Sequence, residues 1–358
     1  MRRMKTWRWM PAALLLAMGG TTAGRAEEFA IQSFDGTGRL SFNRVATAET
    51  YRVEWAPSPA GPWTSFTGAT TVALANIAQF ATGSYTCSVP MCYRVVATVT
   101  NAPATPPVPS GMVQILAGTN SGTDPDFGAY SLTVETFYMD ATEVTKAQWD
   151  TVYTWAIANG YGFVYAGSGK AANHPVQTVN WYDCVKWCNA RSQKEGRTPC
   201  YTVGGNVYKT GQSAPDCNFA ANGYRLPTNT EWEYAARGGA SGHRFPWSDT
   251  DTIQHSRANY YSSISYSYDT SATRGYHPTY ATGGSPYTSP AGSFAANGYG
   301  LYDMAGNVWE WCWDSSGSAR YLRGGSWNSG AHGARCGHLD WYNPNFSNDD
   351  GGFRAVCR

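Results

Sequence analysis

Gly223-Tyr-Arg-Leu-Pro-Thr-Asn-Thr-Glu-Trp-Glu-Tyr-Ala-Ala-Arg-Gly-Gly239 spells out a short helix and both of its ends. Thr228 and Glu231 have the reciprocal spacing of a capping box, in which each side chain satisfies a backbone N–H that a helix start leaves unpaired. Gly238 supplies the stop, because the left-handed conformation past a last helical turn costs glycine least. The same signals predict two more short helices. Thr145 with Gln148 repeats the box, Asn180 can cap the other, and Gly160 and Gly196 provide the stops. Trp149, Val152, Tyr153 and Ala156, then Trp181, Cys184, Val185 and Cys188, recur at three and four residues, so each helix is expected to bury one face. From 240 to 358 the text is mostly turns, with strands expected around Asn307 to Trp313, Tyr321 to Gly325 and Gly352 to Cys357.

Composition agrees with a loop-rich chain. Of 358 residues 15% are aromatic, including 15 Trp, and 39 are Gly, which suits a domain whose aromatic side chains fill a core between irregular segments. Net charge is +1 with 14% charged residues. No basic stripe or acidic tail points to nucleic acid or to a charged membrane as partner.

The N-terminal part reads differently. Met1 to Ala26 has a basic start, an apolar stretch centred on Ala12 to Met18 and small residues up to Ala23 and Ala26, the layout of a secretory signal peptide. Export to the outside or the cell surface is therefore expected, and the apolar run is too short to span a bilayer. Residues 27–101 alternate apolar and polar positions in short runs, such as Tyr51 to Trp55 and Cys92 to Val99, and predict a small β-sandwich. Tyr51-Arg-Val-Glu-Trp-Ala and Gly61-Pro-Trp resemble fibronectin type III modules. Residues 102–110 make a Pro-rich, extended linker, and 111–358 form the second domain. Nine cysteines in an exported chain imply disulfides with one sulfur left over. Local bridges are expected for Cys87–Cys92, which flank a short turn, and for Cys200–Cys217, which bracket a hairpin-like segment.

Five ordered motifs then carry a family resemblance. They are Tyr138-Met-Asp-Ala-Thr-Glu-Val-Thr145, His174-Pro-Val-Gln-Thr-Val-Asn-Trp-Tyr-Asp183, the 223–239 stretch, Asn297-Gly-Tyr-Gly-Leu-Tyr-Asp-Met-Ala-Gly-Asn-Val-Trp-Glu-Trp311, and the closing pair Arg323-Gly-Gly-Ser-Trp327 with Gly352-Phe-Arg354. Together they resemble the formylglycine-generating enzyme, or sulfatase-modifying factor, family. The resemblance implies an α+β, C-type-lectin-like fold with sparse secondary structure. It also implies a bridge from the second helix to the last strand, Cys188–Cys357.

The family's oxidases resemble copper enzymes with two cysteines five apart, just after the Gly-Gly-Ser turn. Cuprous ion is soft, and two thiolates hold it in low coordination with room for a substrate thiol and oxygen. Here the segment reads Trp327-Asn-Ser-Gly-Ala-His-Gly-Ala-Arg335, and the two positions fall at Ser329 and Ala334. Copper is not expected. His332 and His338 lie nearby without a third ligand in the text, and the His-x-x-x-His-x-Glu helix of a related iron branch is absent. The resemblance further implies a structural calcium on the side chains of Asp303 and Glu310 and the carbonyls of Gly306 and Val308, a hard-oxygen set of the kind Ca²⁺ prefers. A second family calcium would use Asn259 and the carbonyl of Tyr260, although Thr282-Gly-Gly-Ser-Pro-Tyr287 lacks the carboxylate it needs.

These readings predict an exported member that is not a working oxidase and that binds a protein, peptide or glycan. The expected face lies within 327–350, where Asn328, His332, His338, Asp340, Trp341, Tyr342, Asn345 and Phe346 mix adaptable polar groups with aromatic anchors. The alternatives are an oxidase that converts a sulfatase cysteine to formylglycine through another site, and an architectural cell-surface protein.

Overall fold

A computed structural model describes residues 108–358 and, before them, the strands β1 (Ile31–Phe34), β2 (Leu40–Phe42), β3 (Thr50–Ala56), β4 (Thr64–Ser65) and β5 (Cys92–Thr98). The chain divides into Met1–Pro107 and Val108–Arg358. In the first unit β1 pairs with β2, and β3 lies between β4 and β5, all antiparallel. The signal segment 1–26 lies outside the described residues, as does Cys87 and with it the pair Cys87–Cys92. Most of the linker 102–110 lies outside them too.

The second unit runs β6 (Met112–Ile115), β7 (Gly118–Asp124), β8 (Gly128–Val134), β9 (Phe137–Asp140), α1 (Lys146–Ala158), α2 (Trp181–Lys194), β10 (Tyr201–Val203), β11 (Asn206–Val207), β12 (Asp216–Cys217), α3 (Asn229–Ala236), β13 (Trp309–Ser316), β14 (Ala319–Arg323), β15 (Asp340–Tyr342), β16 (Gly351–Gly352) and β17 (Val356–Cys357). It is an α+β arrangement of short elements. The sheet β17-β9-β6 brings the end of the chain beside the start of the unit, and β15-β14-β13-β16 forms the larger sheet. The long stretch between α3 and β13 contains no named helix or strand.

The caps read from the sequence are made. Thr145 and Gln148 form a full capping box at α1, as do Thr228 and Glu231 at α3, and Asn180 accepts the Asp183 N–H at the start of α2. Gly160, Gly196 and Gly238 all adopt positive φ, as the stops require.

The core is aromatic. Trp149 of α1 and Trp187 of α2 stack with ring centroids 6.0 Å apart, and Phe353 meets both edge-on. Each ring also needs its polar edge satisfied: the indole N–H of Trp149 donates to the Ala166 carbonyl at 2.7 Å. Gly167 shows how closely the backbone approaches that indole, since a Cβ there would lie 2.5 Å from Nε1 of Trp149 at φ +72.

Helix α2 departs from the expected single apolar face. Asp183, Lys186, Asn189 and Arg191 are buried along with Trp181, Cys184 and Cys188. Burial of such groups is tolerated only when each is paired. Asp183 accepts the N–H groups of Val164 and Tyr165 and lies 3.2 Å from Lys186, while Arg191 donates twice to Asp140 at 2.9 Å.

The expected bridges Cys188–Cys357 and Cys200–Cys217 are not formed. Cys184, Cys188, Cys200, Cys217, Cys312, Cys336 and Cys357 are all thiols. Cys217 sits opposite Tyr201 in the β10–β12 register, and Cys200 stands just before β10. The Cys200 thiol contacts the Gly223 carbonyl. The Cys357 thiol contacts Met112 and Arg197.

Arg354 ties the unit together. Its Nε and Nη2 donate to the two oxygens of Glu310 at 2.7 Å, and Nη2 also reaches the Tyr302 carbonyl at 2.9 Å. Nη1 faces the carbonyls of Asp140 and Ala141, and the Trp232 indole donates to the same Glu310 carboxylate at 2.7 Å. Arg354 and Glu310 are both fully buried. Removing one member of such a pair leaves the other charged and unpaired, which costs about 3–5 kcal/mol. Arg354→Met is therefore expected to lose that much stability in urea denaturation, and pairing it with Glu310→Leu should cost less than the two single losses added together. A loss below about 1 kcal/mol for Arg354→Met would place the pair among exposed ion pairs and contradict this reading.

Candidate functional site

The Gly324-Gly325 turn at the end of β14 delivers the chain to the place where paired thiols would stand. Gly325 has φ +75, and a Cβ on it would lie 2.8 Å from the Gly333 backbone, so the turn and the 329–334 loop press directly on each other. Neither of these positions carries a sulfur atom. Ser329 Oγ shares a hydrogen bond with Ser326 Oγ at 2.8 Å, and Ser326 Oγ donates to Asp350 at 2.9 Å. The Ser329 carbonyl accepts the Tyr261 N–H. Ala334 is buried with Ala331, Ala305, Tyr260 and Ile253 in a small apolar cluster. One position is thus a hydroxyl already engaged and the other a methyl in a core. Cys336, two residues on, does not substitute for them: it is fully buried, and burial pushes its thiol up to about 12, away from the reactive thiolate form.

The predicted ligand face splits into two groups. His332 and His338 come together edge to face with ring centroids 5.4 Å apart. Tyr266 hydrogen-bonds Nδ1 of His332 at 2.8 Å, and Trp309 packs beside His338. Burial, the neighbouring His332 and the guanidinium groups of Arg335 and Arg323 hold His338 down at about 4. The same kinds of cause lower His332, so both rings are neutral near pH 7. The second group is exposed. Asp340, Trp341 and Tyr342 make up β15, the edge strand of the larger sheet. Trp341 is 56% exposed, Tyr342 42% and Phe346 40%, and the last two stack at 4.6 Å. Asn345 is exposed beside them, whereas Asn328 accepts a hydrogen bond from Tyr276 nearer the turn.

Several of the oxygens in the calcium sets implied by the motifs already have partners within the chain. Glu310 already accepts three N–H groups from Arg354 and Trp232. Asp303 accepts the Gly292 N–H, and neither oxygen of Glu143, a buried carboxylate to which the sequence reading gave no role, has a hydrogen-bond partner. Among the described residues no cluster of three or more His, Cys, Asp or Glu side chains has metal-site geometry. At the second position Asn259 Oδ1 is buried without a partner, yet the Tyr260 carbonyl faces His255 Nε2 at 3.2 Å and the Tyr287 carbonyl takes the Asn259 amide. Sequence reasoning also missed a cavity of about 340 Å³ lined by Trp247, Gln254, Arg257, Asn297 and Asp303. Its walls come from turns distant in sequence, and no periodic pattern announces such a place.

Fold and geometry together define an α+β domain of C-type-lectin-like architecture without a thiol pair at its Gly-Gly-Ser turn. Residues 96–358 match the family described as sulfatase-modifying factor enzyme 1-like domain. The chaperone protein LppX of Paenibacillus barcinonensis is 31% identical over 264 residues, covering 70% of this chain and 90% of its own. The formylglycine-generating enzyme of Mus musculus is 31% identical over 295 residues, covering 70% of this chain and 74% of its own. Among solved structures, CarF superposes with a TM-score of 0.55 at 29% identity over 70% of this chain and 98% of its own. Treponema denticola variable protein 1 superposes at 0.52 and 27% identity over 72% and 100%. The chain belongs to the sulfatase-modifying factor family. Its fold is that of the formylglycine-generating enzymes.

The histidine pair gives a pH signature. An unfolded imidazole takes its proton near pH 6.5, whereas His338 stays neutral in the fold down to about 4. Between those values the unfolded chain binds more protons, so this group's contribution to stability is present above pH 6.5 and is lost as pH falls through about 4. Denaturation midpoints measured from pH 7 to pH 4 should fall less steeply for His338→Gln than for the parent. Equal slopes would show that His338 titrates normally.

Proposed function

We propose that this family member is an exported ligand-binding module and not a formylglycine-generating oxidase. The observation that carries the reading is the state of Ser329 and Ala334. One is tied into a hydroxyl–carboxylate network and the other packed in an apolar cluster, which supports the reading because a cuprous ion prefers sulfur donors and neither position supplies one. The names of relatives support a family that does more than one thing, since similar chains include an enzyme and a protein called a chaperone. Fold alone does not fix function.

The binding role rests on the 340–346 segment. Trp341, Tyr342 and Phe346 expose aromatic rings on an edge strand next to the amide of Asn345. Rigid aromatic rings offer large contact area at low entropic cost, and side-chain amides add adjustable hydrogen bonds, a combination suited to a peptide or glycan. An architectural role would leave this face without a ligand.

Two measurements separate the readings. The purified full chain, incubated with copper, oxygen and a Cys-x-Pro-x-Arg peptide, is expected to leave the peptide thiol and mass unchanged, and aldehyde product would end the proposal. In peptide and glycan arrays the chain is expected to retain a ligand whose binding falls at least about tenfold when Trp341 and Phe346 are both changed to Ala, because truncating aromatic anchors costs about 2 kcal/mol or more each. An unchanged melting temperature in that variant assigns the loss to the face.

A further inference from the structure

We propose that the ligand of the 340–346 face is an extended peptide that adds as a strand to the free edge of β15. The inference rests on the binding reading above and chooses peptide over glycan. β15 is the outer strand of the sheet β15-β14-β13-β16, and among the described residues no further strand pairs with it. Its register against β14 runs Arg320–Tyr342, Tyr321–Trp341 and Leu322–Asp340. Opposed residues of an antiparallel ladder alternate between pairs that exchange both backbone bonds and pairs that exchange none. A ladder that stops at Asp340 and Tyr342 has its bonded pairs at those two ends, so Trp341 between them turns its N–H and C=O outward. That N–H accordingly takes a side-chain acceptor, the Asp340 carboxylate at 2.8 Å. An outward N–H and C=O on a sheet edge is a template for another chain, and a charged side chain is a common way to blunt it. Asp340 is the group that an incoming peptide carbonyl displaces.

The side chains fit the same occupant. Successive residues of a strand point to opposite faces, so Trp341 lies on the face that carries Tyr321, and Tyr342 on the face that carries Arg320. Both rings are exposed, and Phe346 stacks on Tyr342 at 4.6 Å. The free edge is therefore flanked by an aromatic surface on each side. An added strand sends its own side chains to those two sides in turn while its backbone meets Trp341 between them. A sugar stacking on one ring makes no use of this alternation or of the outward backbone groups. The paired stretch is short, because the chain turns away just past Tyr342. There the Phe346 N–H donates to the Asn343 carbonyl at 2.8 Å, and the Pro344 carbonyl accepts the Trp181 N–H at 3.1 Å. With bonded pairs at every second residue, the edge has room for about three to five residues of peptide.

Arrays of randomised heptapeptides and of glycans, probed with the purified full chain, supply the test. A retained heptapeptide is resynthesised with a single N-methyl group at each backbone position in turn, which removes one donor and leaves every side chain in place. Binding is expected to fall about fivefold or more at the residue paired with Trp341 and to hold at the residues on either side, whose N–H groups point away. Asp340→Ala releases the Trp341 N–H and is expected to tighten the same peptide about threefold or more at an unchanged melting temperature. Tolerance of N-methylation at every position, equal losses at three consecutive positions, or a peptide held no more tightly by Asp340→Ala overturns strand addition. Retention of glycans alone, lost when Trp341 and Phe346 are changed to Ala, leaves the binding face standing and overturns this inference. Retention of nothing in either array overturns the face and the inference with it.

Discussion

The pairing of Arg354 with Glu310 is the constraint on which this unit depends. With few regular elements, the chain cannot rely on long helices or a broad sheet to fix its loops. One buried guanidinium instead gathers β13, the end of β9 and the Tyr302 loop, and α3 joins through the Trp232 indole. Its five donors in a rigid fork match a carboxylate on one side and backbone carbonyls on the other. Lysine offers a point charge and could not serve all of these directions. The same solution recurs nearby, where Arg323 and Arg237 both engage Glu233 and Arg237 also holds Asp124. Charged pairs at these junctions replace the register that long elements would otherwise supply.

That dependence explains what could be read from the residues and what could not. Capping boxes at Thr145 and Thr228 and the glycine stops are local, so the three helices and their ends followed from spacing alone. The motifs carried the fold because they hold the junction residues, Glu310 and Arg354 among them. Partnerships across the fold were less legible. The burial of Asp183, Lys186 and Arg191 along α2 depends on partners outside the helix, including Asp140 and the loop at Val164, and a single-helix pattern cannot show them. The bridges expected for Cys188 and Cys200 are not formed in the structure, where both are free thiols. Cysteine count and spacing suggested the local bridge and the resemblance suggested Cys188–Cys357, but which thiols meet depends on packing that no local pattern shows.

The candidate site was legible in its negative part. The absence of sulfur at Ser329 and Ala334 is visible in the sequence, and the structure adds the contacts that each residue makes, a hydroxyl network for one and an apolar cluster for the other. The predicted face was only partly resolved by reading. His332 and His338 withdraw into a pocket with Tyr266, while Trp341, Tyr342 and Phe346 stay exposed. Glu143 escaped notice because a lone glutamate in a motif carries no signal until its oxygens are found without donors.

The central claim is that this family member lacks the means to hold a soft metal at the Gly-Gly-Ser turn. Titrating Cu(I) into the purified chain against a chromophoric chelator, with the thiols beyond the turn left intact, addresses it most directly. The account predicts no copper withdrawn from the chelator that is lost again on changing Ser329 to Ala. One equivalent withdrawn and abolished by that change would contradict it.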